Sequence, residues 1–159
     1  MESRFEGKYK LDKKIGEGMH SQVYLCYRND DTDRAKPLAV KISREDDEEK
    51  KLAHHKEFKI TNSLDHKNII KSLEMFDNPL TGEIHQIMDY VEGTEVLEAI
   101  ANQVDGYYTE DCAKFLFKQY MEGIDYLHSQ GVVHRDIKPQ NILVSFDNKV
   151  FIMDFNVSF

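Results

Sequence analysis

The chain begins in short strand-like runs. Lys8 to Ile15 leads through a glycine-containing turn into Val23-Tyr24-Leu25-Cys26-Tyr27, and Leu38 to Ile42 follows a polar loop, Asn29 to Asp33. Pro37 stands at the entry of that third strand, where a missing N–H is tolerated. The charged run Arg44 to Lys51 reads as a solvated loop that enters a helix running to about Leu64, with acidic residues suited to the helix N-terminus. Two more strands are expected, near Ile69 to Phe76 and Ile84 to Tyr90, joined by the hairpin loop Asn78-Pro79-Leu80-Thr81-Gly82.

The pattern then changes period. Thr109 is a good N-cap with Glu110 and Asp111 behind it, and Ala113, Leu116, Phe117, Tyr120, Ile124 and Leu127 recur at helical spacing. Gly131 is the natural stop. The end returns to strands, Ile142 to Val144 and Val150 to Met153, joined by an Asp147-Asn148 turn. The pattern therefore predicts a small sheet with one helix, then a helix, then a hairpin.

Composition narrows the classes of function. The 159 residues carry 29 acidic and 21 basic side chains, a net charge of −8, which argues against general nucleic-acid or membrane affinity. No apolar stretch approaches spanning length, and the N-terminus has no apolar core of the kind a signal peptide needs. Cys26 and Cys112 stand far apart, so a reducing compartment is expected, cytoplasmic with the nucleus left open.

Four stretches carry chemistry. "GEGMHSQV" places Gly16 and Gly18 in a turn between strands, where backbone N–H groups can face phosphate oxygens. A plain hairpin explains the same glycines, and a strand-loop-strand setting is wrong for a dinucleotide fingerprint, whose glycines open a helix. His20 at the tip reads as exposed. "LAVKI" puts Lys41 in an apolar strand. It either points to solvent on alternate spacing or needs a carboxylate, for which Glu57 in the following helix is the candidate. His54 and His55 are adjacent on that helix, point apart, and read as surface residues. "HRDIKPQN" crowds His134, Arg135, Asp136, Lys138 and Asn141 between a helix end and a strand. A carboxylate to take a hydroxyl proton, a lysine to hold a phosphoryl oxygen and an amide oxygen for Mg²⁺ suit phosphoryl transfer, which asks mainly for positioning and charge neutralisation. "IMDF" ends a strand on Asp154, thirteen residues after Asn141.

In this order the four stretches resemble the protein kinase signature set, and the resemblance runs from the glycine-rich loop to the DFG position. The lysine of "HRDIKPQN" resembles the serine/threonine kinases, and "YMEGIDYLHSQGVVHRDIKPQNILV" is similar to the calcium/calmodulin-dependent kinase group. The resemblance implies an α+β fold, with an N-terminal lobe of five antiparallel strands and one helix over about residues 1–88, a hinge at 89–93, and the start of a helical C-terminal lobe over 94–159. It implies ATP and Mg²⁺ as cofactors and Ser/Thr hydroxyls of proteins as substrates. Gly16, Gly18 and Val23 would cover ATP, Ala39 would pack on adenine with Leu143 as its floor, and Lys41 would hold the α/β-phosphates paired to Glu57. Met88 would be the gatekeeper, Asp89 to Val91 would offer backbone groups to adenine, and Glu95 would meet the ribose. Asp136 would be the catalytic base, Lys138 would steady the transferring phosphoryl, and Asn141 and Asp154 would hold Mg²⁺.

The sequence also departs from the family. Ser21 replaces the third glycine and His20 an aromatic. Thr61 and Ser72 stand where apolar residues usually stack, which predicts weaker apolar packing there. Asn156 replaces the glycine of DFG, and asparagine tolerates positive φ better than most residues. No APE-like stretch occurs in the 159 residues, so the expectation is a kinase domain inactive as this chain alone, with a partner lobe or partner kinase needed if the short chain is genuine. The alternative is a non-catalytic nucleotide- or partner-binding module. Arg135 and Lys138 argue against a small-molecule kinase.

Overall fold

The structure is a computed structural model that describes residues 5–18 and 20–155. The chain divides into two compact units, Met1–Asn62 with Lys71–Tyr90, and Ser63–Ile70 with Val91–Phe159.

The first unit is a five-stranded antiparallel sheet with one helix, the α+β arrangement the family resemblance implies. Strands β1 (Tyr9–Glu17), β2 (Ser21–Arg28), β3 (Leu38–Arg44), β4 (Ser72–Asn78) and β5 (Glu83–Asp89) take the order β1-β2-β3-β5-β4. Helix α1 (Glu48–Ser63) follows β3. Its first turn is capped by Asp47, whose Oδ1 accepts from the N–H of Glu49 at 2.8 Å. Gly82 closes the β4–β5 hairpin at φ +71°, a conformation that favours glycine. Side chains alternate across the sheet. Val40 and Ile87 face a core with Phe5, Tyr9 and Cys26, where Phe5 stacks on His85 at 4.6 Å between ring centroids. Ala39 and Lys41 take the opposite face.

In the second unit, α2 (Val96–Ala101) and α3 (Glu110–Ser129) accompany a three-stranded sheet, β6 (Gly93–Glu95), β7 (Ile142–Ser145) and β8 (Val150–Ile152), in that order. Thr109 caps α3 by accepting from the N–H of Cys112 at 3.3 Å, and Gly131 ends it at φ +72°. Ala99, Leu116, Val144 and Val150 form the apolar core.

The structure corrects the pattern in three places. Ile69 and Ile70 do not begin β4. They belong to the second unit, where Ile69 bridges Ile152 in parallel and the Ile70 N–H donates to the Ile152 carbonyl at 3.1 Å. β6 was not expected. On α3, Ala113 and Phe117 are exposed, whereas Gly123 is buried. A Cβ on Gly123 would meet Ile152 Cδ1 at 2.8 Å, so its lack of a side chain is what admits Ile152. Thr61 and Ser72 are both buried in the first unit, and their hydroxyls lie 2.7 Å apart.

Candidate active site

In the first unit the β1–β2 turn carries the glycines. Gly16 pairs with Val23, and the Gly18 N–H donates to the Ser21 carbonyl at 2.8 Å. A Cβ on Gly18 would lie 2.9 Å from Ser21 Oγ, so a side chain here would require the Ser21 hydroxyl to turn aside. His20 is exposed, as expected. Lys41 lies between Val23 on β2 and Gln86 on β5, directly opposite both, so all three side chains share one face. That face meets α1: Lys41 Nζ is 3.5 Å from Glu57 Oε1, with the two side chains 16% and 4% exposed. The solvent-facing alternative for Lys41 is therefore excluded. Ala39 is buried and pairs with Met88. The Asp89 N–H donates to the Lys71 carbonyl at 3.0 Å, which commits that donor within the unit. His55, half-buried rather than fully exposed, pairs with Asp77 at 2.8 Å.

In the second unit, Val91 precedes β6, and Glu95 at the end of β6 lies opposite Leu143 on β7. The densest polar grouping lies in the loop between α3 and β7. Asp136, Lys138 and Asn141 come together there: Lys138 Nζ lies 2.6 Å from Asp136 Oδ2. Asn141 is buried and donates from Nδ2 to the Asp136 carbonyl at 2.8 Å and to Asp136 Oδ2 at 3.0 Å. Its amide protons are thus committed to Asp136, and Oδ1 is the atom left for a cation. The Asn141 carbonyl accepts from the Met153 N–H at 3.0 Å, which brings the segment next to Asp154 alongside the loop.

His134 supports this arrangement in a way the sequence did not reveal. It is 2% exposed, its Nδ1 faces the Asp136 N–H at 3.3 Å, and its Nε2 lies 3.0 Å from the Met153 carbonyl. With the Asp136 amide donating to Nδ1, Nε2 carries the ring proton and donates to Met153. One buried imidazole thereby ties the Asp136 backbone to the segment that carries Asp154. The only signal in the sequence was the polar density of the octet. Arg135 and Asp154 both hold positive φ, 66° and 64°, which is uncommon for residues with a Cβ. Asn156, where positive φ was expected, lies outside the described residues.

The electrostatics follow from these contacts. Lys138, through its hydrogen bond, and then Asn141 hold the Asp136 carboxyl below the usual carboxylate range, while Asp136 raises the Lys138 ammonium. Asp136 is therefore an ionised acceptor at neutral pH. Among the described residues no three His, Cys, Asp or Glu side chains cluster as a metal site. Mg²⁺ needs no such cluster. It takes one or two protein oxygens and keeps water or phosphate for the rest, which fits a donor set of Asn141 Oδ1 and the Asp154 carboxylate.

Comparison with known proteins agrees with this geometry. The family described as "Protein kinase domain" matches residues 9–159. Over 158 residues the chain is 34% identical to CBL-interacting protein kinase 32 of Oryza sativa subsp. japonica, covering 96% of this chain and 34% of that protein. It is 34% identical over 156 residues to calcium/calmodulin-dependent protein kinase type 1 of Macrobrachium nipponense, covering 96% and 44%. It is 34% identical over 153 residues to calcium/calmodulin-dependent protein kinase type IV of Mus musculus, covering 94% and 31%. The chain belongs to the protein kinase family, on its serine/threonine branch. Equal identity to the CBL-interacting and the calcium/calmodulin-dependent kinases singles out neither group. The chain spans about a third to under half the length of these relatives.

Proposed function

We propose that this chain binds ATP with Mg²⁺ and carries the catalytic base for phosphoryl transfer to Ser or Thr hydroxyls of proteins. The observation that carries the reading is the Asp136–Lys138–Asn141 grouping. It presents an ionised carboxylate to accept a hydroxyl proton, an ammonium 2.6 Å away to neutralise a phosphoryl oxygen, and an amide oxygen for Mg²⁺. In this reading Lys41, held by Glu57, binds the α/β-phosphates, and Gly16, Gly18 and Val23 cover them. Ala39, Met88 and Leu143 line adenine, Asp89 and Val91 offer it backbone groups, and Glu95 meets the ribose. Asn141 and Asp154 would hold Mg²⁺, which would supply charge neutralisation for the phosphates, and Asp136 would take the proton from the attacking hydroxyl. Protein kinases as a family use these cofactors, which supports the reading.

The test is calorimetric titration of the 159-residue chain with ADP, with and without Mg²⁺. Binding that needs Mg²⁺ and is lost in Asp154→Ala supports the reading. Nucleotide-independent behaviour of every variant refutes it. A second reading, binding without transfer, is favoured by α3, where Phe115, Phe117 and Met121 are 55%, 62% and 45% exposed. In-line positioning of a peptide is worth about 7–11 kcal/mol of barrier, and surfaces of that kind depend on a covered scaffold. We therefore expect the 159 residues by themselves to bind nucleotide and to leave peptides unphosphorylated. Peptide phosphorylation by this chain, lost in Asp136→Asn, would overturn that second reading.

A further inference from the structure

A buried polar relay crosses the first unit beneath α1. Gln86 on β5 donates from Nε2 to Ser72 Oγ at 2.7 Å, Ser72 Oγ lies 2.7 Å from Thr61 Oγ1, and Thr61 Oγ1 lies 3.0 Å from the Glu57 carbonyl. Gln86, Ser72, Thr61 and Glu57 are all 4% exposed or less. Each hydroxyl has one proton, so one arrangement satisfies every group. Gln86 donates to Ser72, Ser72 donates to Thr61, and Thr61 donates back to the carbonyl one turn earlier. The Asn62 amide adds a bond to the Ser72 carbonyl at 2.8 Å, so two consecutive residues of α1 are fastened to one residue of β4. The first donor, Gln86, is the cross-strand neighbour of Lys41, and the last acceptor is the backbone of Glu57, the residue paired to Lys41.

We infer that the Gln86–Ser72–Thr61 relay is a positioning device that sets the rotation and height of α1 and thereby the Lys41–Glu57 pair. Apolar side chains at positions 61 and 72 would let the helix slide and roll, because dispersion contacts have no preferred direction. Hydrogen bonds between buried partners tolerate only a few tenths of an ångström before an unsatisfied group appears. Thr61 and Ser72 are therefore not gaps in an apolar stack but a directional latch that holds one helix register. That this register matters for phosphate binding rests on the nucleotide reading given above. The latch itself does not.

The experiment uses the whole chain. Lys41 acylation by an amine-reactive ester, followed by mass spectrometry with exposed Lys36 as internal reference, reads the pair without nucleotide. The pair holds the Lys41 amine 3.5 Å from Glu57 and only 16% exposed, so the labelling rate reports how readily the pair opens to the reagent. Thr61→Val removes the hydroxyl at nearly constant volume, Thr61→Ser keeps it, and Glu57→Gln removes the carboxylate. We expect Lys41 in Thr61→Val to react roughly fivefold faster, about the worth of one hydrogen bond, and in Thr61→Ser to stay near the wild-type rate. The Thr61→Val/Glu57→Gln double variant should react no faster than Glu57→Gln alone, because the relay acts through Glu57. An unchanged rate in Thr61→Val, or an effect that adds in full to that of Glu57→Gln, overturns the inference. If Thr61→Val does not fold, Ser72→Ala decides by the same two criteria. MgADP titration of the same proteins separates the two ideas. The expected labelling pattern in a wild type that binds no MgADP upholds the latch and refutes the phosphate role of Lys41. A wild type that binds MgADP while Thr61→Val labels normally refutes the latch alone.

Discussion

Gly93 is where a single methyl group should do most damage in the second unit. It pairs with Ser145 at the start of the β6–β7 ladder, and a Cβ there would lie 2.7 Å from Ser145 Cα and 2.8 Å from the Val144 carbonyl carbon, closer still to the Val144 oxygen. All three are backbone atoms, so no rotamer change relieves the clash, and the strands must part by about 1 Å. That takes ladder bonds of ordinary length past the limit at which they count as bonds. The ladder holds three residue pairs, Gly93–Ser145, Thr94–Val144 and Glu95–Leu143. At roughly 1 kcal/mol for each of two or three bonds, the loss is about 2–3 kcal/mol. Against it stands about 0.4–1 kcal/mol gained from the stiffer unfolded chain. The clash wins, and Gly93→Ala should be less stable by about 1–3 kcal/mol, a urea midpoint lower by roughly 1 M. Gly106→Ala is the control: a Cβ there meets nothing within 4 Å, and only its φ of +72° is strained. The cost of a Cβ at that φ, about 1–2 kcal/mol, is partly offset by the same unfolded-state gain of about 0.4–1 kcal/mol, so the control should lose about 1 kcal/mol, less than Gly93→Ala. A Gly93→Ala chain as stable as wild type, or one no worse than Gly106→Ala, would refute the close-approach argument. On the proposed reading, in which Glu95 and Leu143 meet the nucleotide, MgADP affinity should fall along with stability, since the two are the last pair of this ladder.

Lys41→Met should cost about 3–5 kcal/mol in urea unfolding, because it leaves the Glu57 carboxylate 4% exposed without its ammonium, whereas Lys41→Met/Glu57→Leu should recover most of that loss. An equal loss in both would show that the pair is not what burial makes costly. In Lys138→Met the Asp136 carboxyl should titrate at higher pH than in wild type by carbon-13 NMR. Its folded value is depressed, so its contribution to stability is present above the unfolded carboxylate range near 3.9 and fades as pH falls through the folded value; the stability gap between the two proteins should close on acidification. Burial pushes the Cys26 thiol up to about 12 at 0% exposure, so iodoacetamide at pH 8 should modify Cys112 alone in the native chain and both thiols after unfolding. Early modification of Cys26 would contradict its place in the core.

Local pattern made most of the elements legible. Strands with apolar alternation, the capped α3 and the hairpin turn at Asn148, with φ 58°, all carry their cause within a few residues. What stayed hidden depends on partners far along the chain. β6 has three residues and no period of its own, and it exists because β7 supplies its hydrogen bonds. Ile69 and Ile70 look like any strand entry until Ile152 is present. The Lys41–Glu57 pair could be named because one strand and one helix suffice to bring it together. Gln86 could not, since its partner is fourteen residues away and an exposed glutamine has the same spelling. His134 was visible only as part of a crowded octet, because its use of both ring nitrogens depends on Met153, nineteen residues later.

The segment Ser63–Ile70 gives synthesis a particular order of events. It leaves the ribosome between α1 and β4, yet Asn68 donates from Nδ2 to the Val150 carbonyl at 2.8 Å, a partner 82 positions later. At about 5–20 residues per second, β8 emerges roughly 4–16 s after the loop that waits for it. All the strands of the first unit are out of the ribosome well before then, so its sheet can close while this loop is still unmatched. Through that interval Asn68, Ile69 and Ile70, each under 9% exposed in the finished protein, stand in water as a nascent-chain hydrophobic site. A chaperone that surveys growing chains would find this stretch still open after the first sheet has closed.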